Sequence, residues 1–222
     1  MRFDLVIFDC DGVLVDSEIL AGRVDHALLR EHGVDLGQSE VTARYAGLSY
    51  SDMIASVNRE FRSDISAADF ERNAMAKLAC ALEEELQPVA GIHQLLDVLP
   101  SLICVASSSP MTKLRRSLVL TDLLSRFDPY VFSTETVAQG KPAPDIIQHC
   151  CDIMGVPPDR TAVVEDSLHG IQAARSAGAT AIAFLGGRHC TPQTAQTLTN
   201  AGAQLTAQTS QDLAQILVAK PE

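Results

Sequence analysis

Five short apolar runs punctuate the chain, several of them closed by polar residues. Residues 4–9 (Asp-Leu-Val-Ile-Phe-Asp) form the first; residues 102–107 (Leu-Ile-Cys-Val-Ala-Ser), 130–133, 161–165 (Thr-Ala-Val-Val-Glu) and 180–184 follow the same form. Runs this short and this uniformly apolar suit strands buried inside a sheet. Between them the apolar positions change period. Ile92, Leu95, Leu96 and Leu99 fall at i, i+3, i+4 and i+7, and Ile146, Ile147, Cys150, Cys151 and Met154 repeat in the same way, with Gly155 placed to end that helix. Strand then helix, repeated, predicts an α/β fold: a Rossmann-like parallel sheet with helices on both faces.

Residues 16–88 break this alternation. No strand pattern occurs there. Leu20, Val24, Ala27 and Leu28 mark one amphipathic helix, Ile54, Val57 and Phe61 a second, and Phe70, Ala74, Leu78, Leu82 and Leu86 a third. Ser66 with Asp69 has the spacing of a capping box for the third. The segment reads as an all-helical cap domain (16–88) inserted into a core made of residues 1–15 and 89–222. The sequence carries no repeats and no low-complexity tract.

Composition narrows the function classes. At 222 residues the chain is long enough for a full core without metal or disulfide staples. With 28 acids against 17 bases, a net charge of −11, it lacks the basic face that nucleic acid or anionic lipid demands. No apolar run reaches the roughly 18–20 residues of a membrane span. The first apolar run ends in acids, unlike a secretory signal, so a cytoplasmic protein is expected. Six cysteines (Cys10, Cys80, Cys104, Cys150, Cys151, Cys190) show neither a CxxC pair nor zinc spacing and read as reduced thiols.

The chemistry gathers where the predicted strands end. In open parallel sheets ligands bind beyond the carboxyl ends of the strands. The first strand runs into Asp9-Cys10-Asp11-Gly12, the second into Ser107-Ser108-Ser109-Pro110, and the fourth into Glu165-Asp166-Ser167; Gly140-Lys141-Pro142 follows the third. Asp9 and Asp11, two apart, point the same way from an extended chain. Four carboxylates (Asp9, Asp11, Glu165, Asp166) in one crevice repel, and a hard divalent cation such as Mg²⁺ resolves the repulsion while tolerating a phosphate ligand. Lys141 is the lone base among these motifs, placed to pair with a carboxylate and a phosphate oxygen. Ser107 offers a hydroxyl donor, and Ser109-Pro110 looks like an N-cap and first helical residue with N–H groups facing the crevice. Taken singly, each motif has an ordinary structural explanation: a loop with spaced acids, a helix cap, a solvated lysine turn. Their shared place at strand ends is what points to a site.

These stretches resemble the haloacid dehalogenase-like phosphohydrolases, in the branch with a helical cap after the first motif. The resemblance rests on Asp9-Cys-Asp11-Gly12-Val-Leu-Val-Asp16-Ser17, Val-Ala-Ser107-Ser108-Ser109, Gly140-Lys141-Pro142-Ala-Pro144-Asp145 and Val-Val-Glu165-Asp166-Ser167-Leu-His-Gly170-Ile171, and covers about residues 3–185. It is closest to the beta-phosphoglucomutase-like group, which includes phosphatases of 6-phosphogluconate. The resemblance implies that Asp9 is a nucleophile forming an aspartyl-phosphate, and that Asp11 is an acid and then a base. It implies Mg²⁺ at Asp9, Asp166 and the Asp11 carbonyl, with Glu165 bound directly or through water. Ser107, the Ser108 backbone and Lys141 would hold the phosphoryl group. The expected partner is a small-molecule phosphate ester, a sugar or sugar-acid phosphate. The alternative is a sugar phosphomutase using the same intermediate; where such mutases carry a cap histidine and arginine, a rough alignment finds Ala21 and Tyr50. Dehalogenases of the superfamily lack the second acid, which is present here as Asp11. Arg44 and Ser49, with Gly47 and Leu48, are read as a segment between the first two cap helices and as candidate substrate contacts.

Overall fold

The computed structural model describes residues 3–45, 48–99 and 101–218. The chain divides into two compact units, Met1–Asp16 with Gln87–Glu222, and Ser17–Leu86.

The first unit holds a six-stranded parallel sheet: β1 (Leu5–Phe8), β2 (Leu102–Ser107), β3 (Val131–Ser133), β4 (Thr161–Glu165), β5 (Thr180–Phe184) and β6 (Leu205–Ala207), in the spatial order β3-β2-β1-β4-β5-β6. All five strands expected from the sequence are present. β6 is additional: three residues at the sheet edge, too short to show a period in the sequence. Every side chain of β1 is fully buried, because neighbours cover both its edges and helices cover both its faces. Side chains alternate between those faces. Leu5, Ile7, Cys104, Ala106, Val163 and Ala181 share one core with Ile146, Ile147 and Cys150 of α8 (Asp145–Met154) and Ile171, Ala173 and Ala174 of α9 (Leu168–Ala177). On the other face Phe8 meets Phe127 edge-on, with ring centroids 6.0 Å apart. α8 ends where expected, with Gly155 in the left-handed region at φ 67°.

The strand order reverses at β1. The chain builds outward from β1 to β2 and β3, then returns to build β4, β5 and β6 on the other side. Helices leaving adjacent strands in opposite directions open a crevice at the carboxyl ends of β1 and β4. The register aligns Phe8 with Val164, so the residues that follow, Asp9 and Glu165, leave the sheet side by side.

The second unit is helical throughout its secondary structure: α1 (Ser17–Glu31), α2 (Gln38–Tyr45), α3 (Tyr50–Phe61) and α4 (Ala67–Glu85). Three helices match the expected ones. α2 is additional: its sequence Gln-Ser-Glu-Val-Thr-Ala-Arg-Tyr is short and mostly polar, so it carries little periodic signal. Arg44 therefore lies within a helix rather than in a connecting segment, while Gly47 lies outside the described residues. Ser66 caps α4 by accepting from the Asp69 N–H. Leu20, Val24, Leu28, Met53, Ile54, Val57, Phe70 and Ala74 form the buried faces of these helices. No helix among the described residues is long and apolar enough to cross a membrane.

Candidate active site

Asp9 is the first residue beyond β1, and its N–H still donates to the Val164 carbonyl at 3.0 Å. This sheet bond fixes the backbone under a buried carboxylate. Lys141 reaches it from the loop after β3. Its ammonium donates to Asp9 Oδ1 at 2.6 Å, to Glu165 Oε1 at 2.5 Å and to the Ala106 carbonyl at 2.8 Å. An ammonium has three protons, and all three are committed here. Burial opposes the charged form of Lys141, but Asp9 and Glu165 outweigh it and raise its pKa, so the ammonium is held.

Glu165, at the end of β4, is fully buried. Its other oxygen, Oε2, accepts from the Ser167 hydroxyl at 2.9 Å and the Ser167 N–H at 3.3 Å. Glu165 thus serves as the fixed counter-ion of Lys141. Gly170 makes room for it: a Cβ there would stand 1.8 Å from the Glu165 carboxyl carbon.

Asp166 completes the acidic group. Ligand oxygens of Asp9, Glu165 and Asp166 all lie within 4.8 Å of one another. Burial, then Glu165 and Asp166, push Asp9 well above the usual carboxylate range against the pull of Lys141. Asp9, Glu165 and Asp166 could hold a divalent cation, which would reverse that pressure. The donor set is oxygen only, which suits a hard cation. Gly12 also fits a crowded metal site: its φ is +79°, and a Cβ there would stand 1.9 Å from Asp166 Oδ2. Beside Asp166 the His189 Nδ1 atom is buried without a hydrogen-bond partner among the described residues.

The Asp11 side chain turns elsewhere. Its Oδ2 accepts from the Ser109 hydroxyl at 2.6 Å, and Lys113 donates to Oδ1 at 3.1 Å and Oδ2 at 3.2 Å. Its carboxylate is not part of the Asp9, Glu165 and Asp166 cluster that could hold a metal ion. The Ser109 hydroxyl is therefore not a helix cap. Pro110 occupies the N-cap position of α6 (Met111–Leu120), and Ser109 is one residue too early for its hydroxyl to fill that role. Nor are the nearby N–H groups open: Ser109 N donates to the Ser107 hydroxyl at 3.1 Å, and Met111 N to Glu135 at 2.8 Å. Ser107 is buried, with its hydroxyl hydrogen still available to donate, and Ser108 is exposed.

Lys141 reads from the sequence as the only base here, and the structure adds two more. Lys113 sits on Asp11, and His189 Nε2 lies 2.9 Å from Asp166 Oδ2. Burial disfavours the imidazolium, but the Asp166 hydrogen bond, with Cys190 beside it, prevails and His189 is pushed up to about 11. The four acids are thus partly neutralised by three cations. Arg188, next to His189, pairs with the buried Asp16 through its side chain and its N–H, both at 3.0 Å, and ties this loop to the segment after β1. Arg44 and Ser49 have local partners. Arg44 pairs with Glu40 and Glu60, and Ser49 caps α3 through Asp52.

The sequence matches the description haloacid dehalogenase-like hydrolase over residues 6–184, most of the chain and every strand-end motif above. The chain belongs to the haloacid dehalogenase-like hydrolases. Among relatives of this family member, 6-phosphogluconate phosphatase of Escherichia coli is 30% identical over 191 residues, which cover 86% of each chain. Phosphorylated carbohydrates phosphatase of Thermotoga maritima is 28% identical, covering 79% of this chain and 82% of that one. A conserved haloacid dehalogenase-like protein of Agrobacterium tumefaciens superposes with a TM-score of 0.92 at 38% identity, covering 96% of this chain and 97% of that one. A family hydrolase of Deinococcus radiodurans, solved with bound phosphate and sodium, superposes with a TM-score of 0.87 at 26% identity and 99% coverage of both.

Proposed function

We propose that this hydrolase is a Mg²⁺-dependent phosphatase of a small phosphorylated sugar or sugar acid, working through an aspartyl-phosphate at Asp9. The observation that carries the reading is the buried Asp9 carboxylate, clamped by Lys141 at 2.6 Å and grouped with Asp166 and Glu165 at the strand-order reversal. The activities for which the relatives are named support the substrate class.

In this reading Asp9 attacks phosphorus, and the ester oxygen departs with a proton from Asp11. Water then attacks the same phosphorus, gives its proton back to Asp11, and frees Asp9 and inorganic phosphate. Ser107, the Ser108 N–H and Lys141 hold the phosphoryl oxygens; Lys141 does so by exchanging one of its three present bonds. Asp9, Asp166 and the main-chain carbonyl of Asp11 would hold Mg²⁺. Glu165 acts through water or through Lys141, since both its oxygens already accept protein donors. Bound Mg²⁺ supplies charge neutralisation between the carboxylates and the phosphoryl group. Such neutralisation and positioning are needed because phosphate monoesters hydrolyse so slowly unaided. Arg44 and Ser49 remain proposed substrate contacts, which they become by giving up the local bonds described. Relatives named as phosphatases favour hydrolysis over the mutase alternative.

The test is phosphate release by the purified protein across sugar, sugar-acid, nucleotide and amino-acid phosphates with Mg²⁺. Turnover concentrated among the sugar and sugar-acid phosphates is expected. No release from any ester would refute the reading.

A further inference from the structure

Lys113 occupies the first turn of α6, where no acidic residue is found. A cation there opposes the helix dipole, which favours negative charge at an N-terminus. The fold accepts this cost, and the ammonium faces both oxygens of the Asp11 carboxylate, 3.1 Å and 3.2 Å away. Ser109 lies four residues earlier on the same side of the chain, and Lys113 donates to its hydroxyl at 3.1 Å while that hydroxyl donates to Asp11 Oδ2 at 2.6 Å. Ser109 is itself held: its carbonyl accepts from the Ser133 hydroxyl at 2.7 Å, at the end of β3. The result is a closed triangle of Asp11, Ser109 and Lys113, anchored to two strands. The Asp11 side chain is 15% exposed and that of Lys113 33% exposed. Their pairing is therefore shielded more than a surface ion pair, whose typical worth is small.

We propose that Lys113 is a positioning residue for Asp11: together with Ser109 it holds the carboxylate in one place while that group serves first as acid and then as base. The inference rests on the phosphatase reading above and adds a residue to it. One carboxylate has to meet the leaving oxygen and later the attacking water, so its orientation has to persist through the life of the phosphoenzyme. The loop after β1 is fixed by its own backbone bonds, Gly12 N–H to the Val15 carbonyl among them, and two donors from α6 and its approach fix the Asp11 carboxylate upon it. Lys113 itself transfers no proton and contacts no substrate atom in this scheme.

The experiment compares Lys113→Met, Lys113→Arg, Ser109→Ala, Asp11→Asn and the Asp11→Asn/Lys113→Met double variant on a sugar phosphate that the wild type hydrolyses and on p-nitrophenyl phosphate. The ratio kcat/KM covers only the steps up to loss of the leaving group. A sugar hydroxyl needs a proton as it leaves, and p-nitrophenolate hardly does. Lys113→Met should lower kcat/KM on the sugar phosphate by about 10–100-fold, through kcat rather than KM. Its loss on p-nitrophenyl phosphate should be at least ~5-fold smaller. Lys113→Arg should recover much of the loss. In the Asp11→Asn background, removing Lys113 should change turnover by no more than about 2-fold, since the two act as one unit. Ser109→Ala should repeat the substrate-dependent loss, and it carries the test should Lys113→Met fail to fold. Equal losses with and without Asp11, or a change in KM alone, would overturn the assignment. A wild type that hydrolyses no phosphate ester would instead bring down the phosphatase reading beneath it.

Discussion

Gly170→Ala offers a test in which local and tertiary physics predict opposite signs. Gly170 lies in the first turn of α9, and its N–H donates to the Ser167 hydroxyl at 3.0 Å. By helix propensity alone, alanine in place of glycine in a helix stabilises by up to ~1 kcal/mol. The tertiary structure argues otherwise. The new Cβ would meet the Glu165 carboxyl group at 1.8 to 2.2 Å, against a side chain that is fully buried and bonded at both oxygens. Glu165 cannot retreat without releasing Lys141 or Ser167. Disrupting a buried charge pair costs roughly 3–5 kcal/mol. Set against the propensity gain, the net is a loss of about 2–4 kcal/mol, or a fall in Tm of roughly 5–15 °C for a chain of this size. Thermal unfolding followed by circular dichroism measures the first effect, and steady-state phosphate release the second, because a displaced Glu165 frees Lys141 from its place beside Asp9. A Gly170→Ala protein that melts at or above the wild-type temperature with wild-type turnover would refute the claim that Gly170 exists to house Glu165.

Asp9→Asn should abolish phosphate release while leaving the far-ultraviolet circular dichroism unchanged, because an amide is a poor nucleophile and a weak ligand for a hard cation. Exhaustive chelation should remove activity and added Mg²⁺ restore it, and Asp166→Ala should raise the Mg²⁺ concentration needed by at least about 10-fold in a calorimetric titration. In the helical unit, burial pushes Asp25 up to about 6 from an ordinary 3.8, partly offset by the Tyr50 hydroxyl 3.3 Å away. Below pH ~4 the group is protonated whether folded or not; between pH ~4 and ~6 the folded form binds more protons, so its contribution to stability declines as pH rises. Denaturant titrations across that range should show wild-type stability falling relative to Asp25→Asn as pH rises, and a parallel course for the two proteins would remove Asp25 as the cause.

Period and punctuation along the chain determine much of this molecule. The β1 run is apolar because the strand is covered on both faces, and the buried stretches of β2, β4 and β5 are apolar for the same reason. Helices such as α8 show their buried stripe and their terminal glycine directly. The acids and Lys141 are legible for a related reason: reactive groups at the carboxyl ends of parallel strands interrupt apolar runs, and the interruption falls in the sequence itself. Tertiary structure alone decides which polar groups answer them. Lys113 is 102 residues from Asp11, and His189 comes from the segment after β5, a loop without periodicity. The spacing of Ser109 and Pro110 suggests a cap for α6, and the strand order instead brings Asp11 to the Ser109 hydroxyl. β6 and α2 escape notice for want of length, since three strand residues or eight mostly polar helical ones bury too little to imprint a pattern. An apolar pattern records whether a residue is covered. It does not record by what, and the pairing of charges depends on the covering partner.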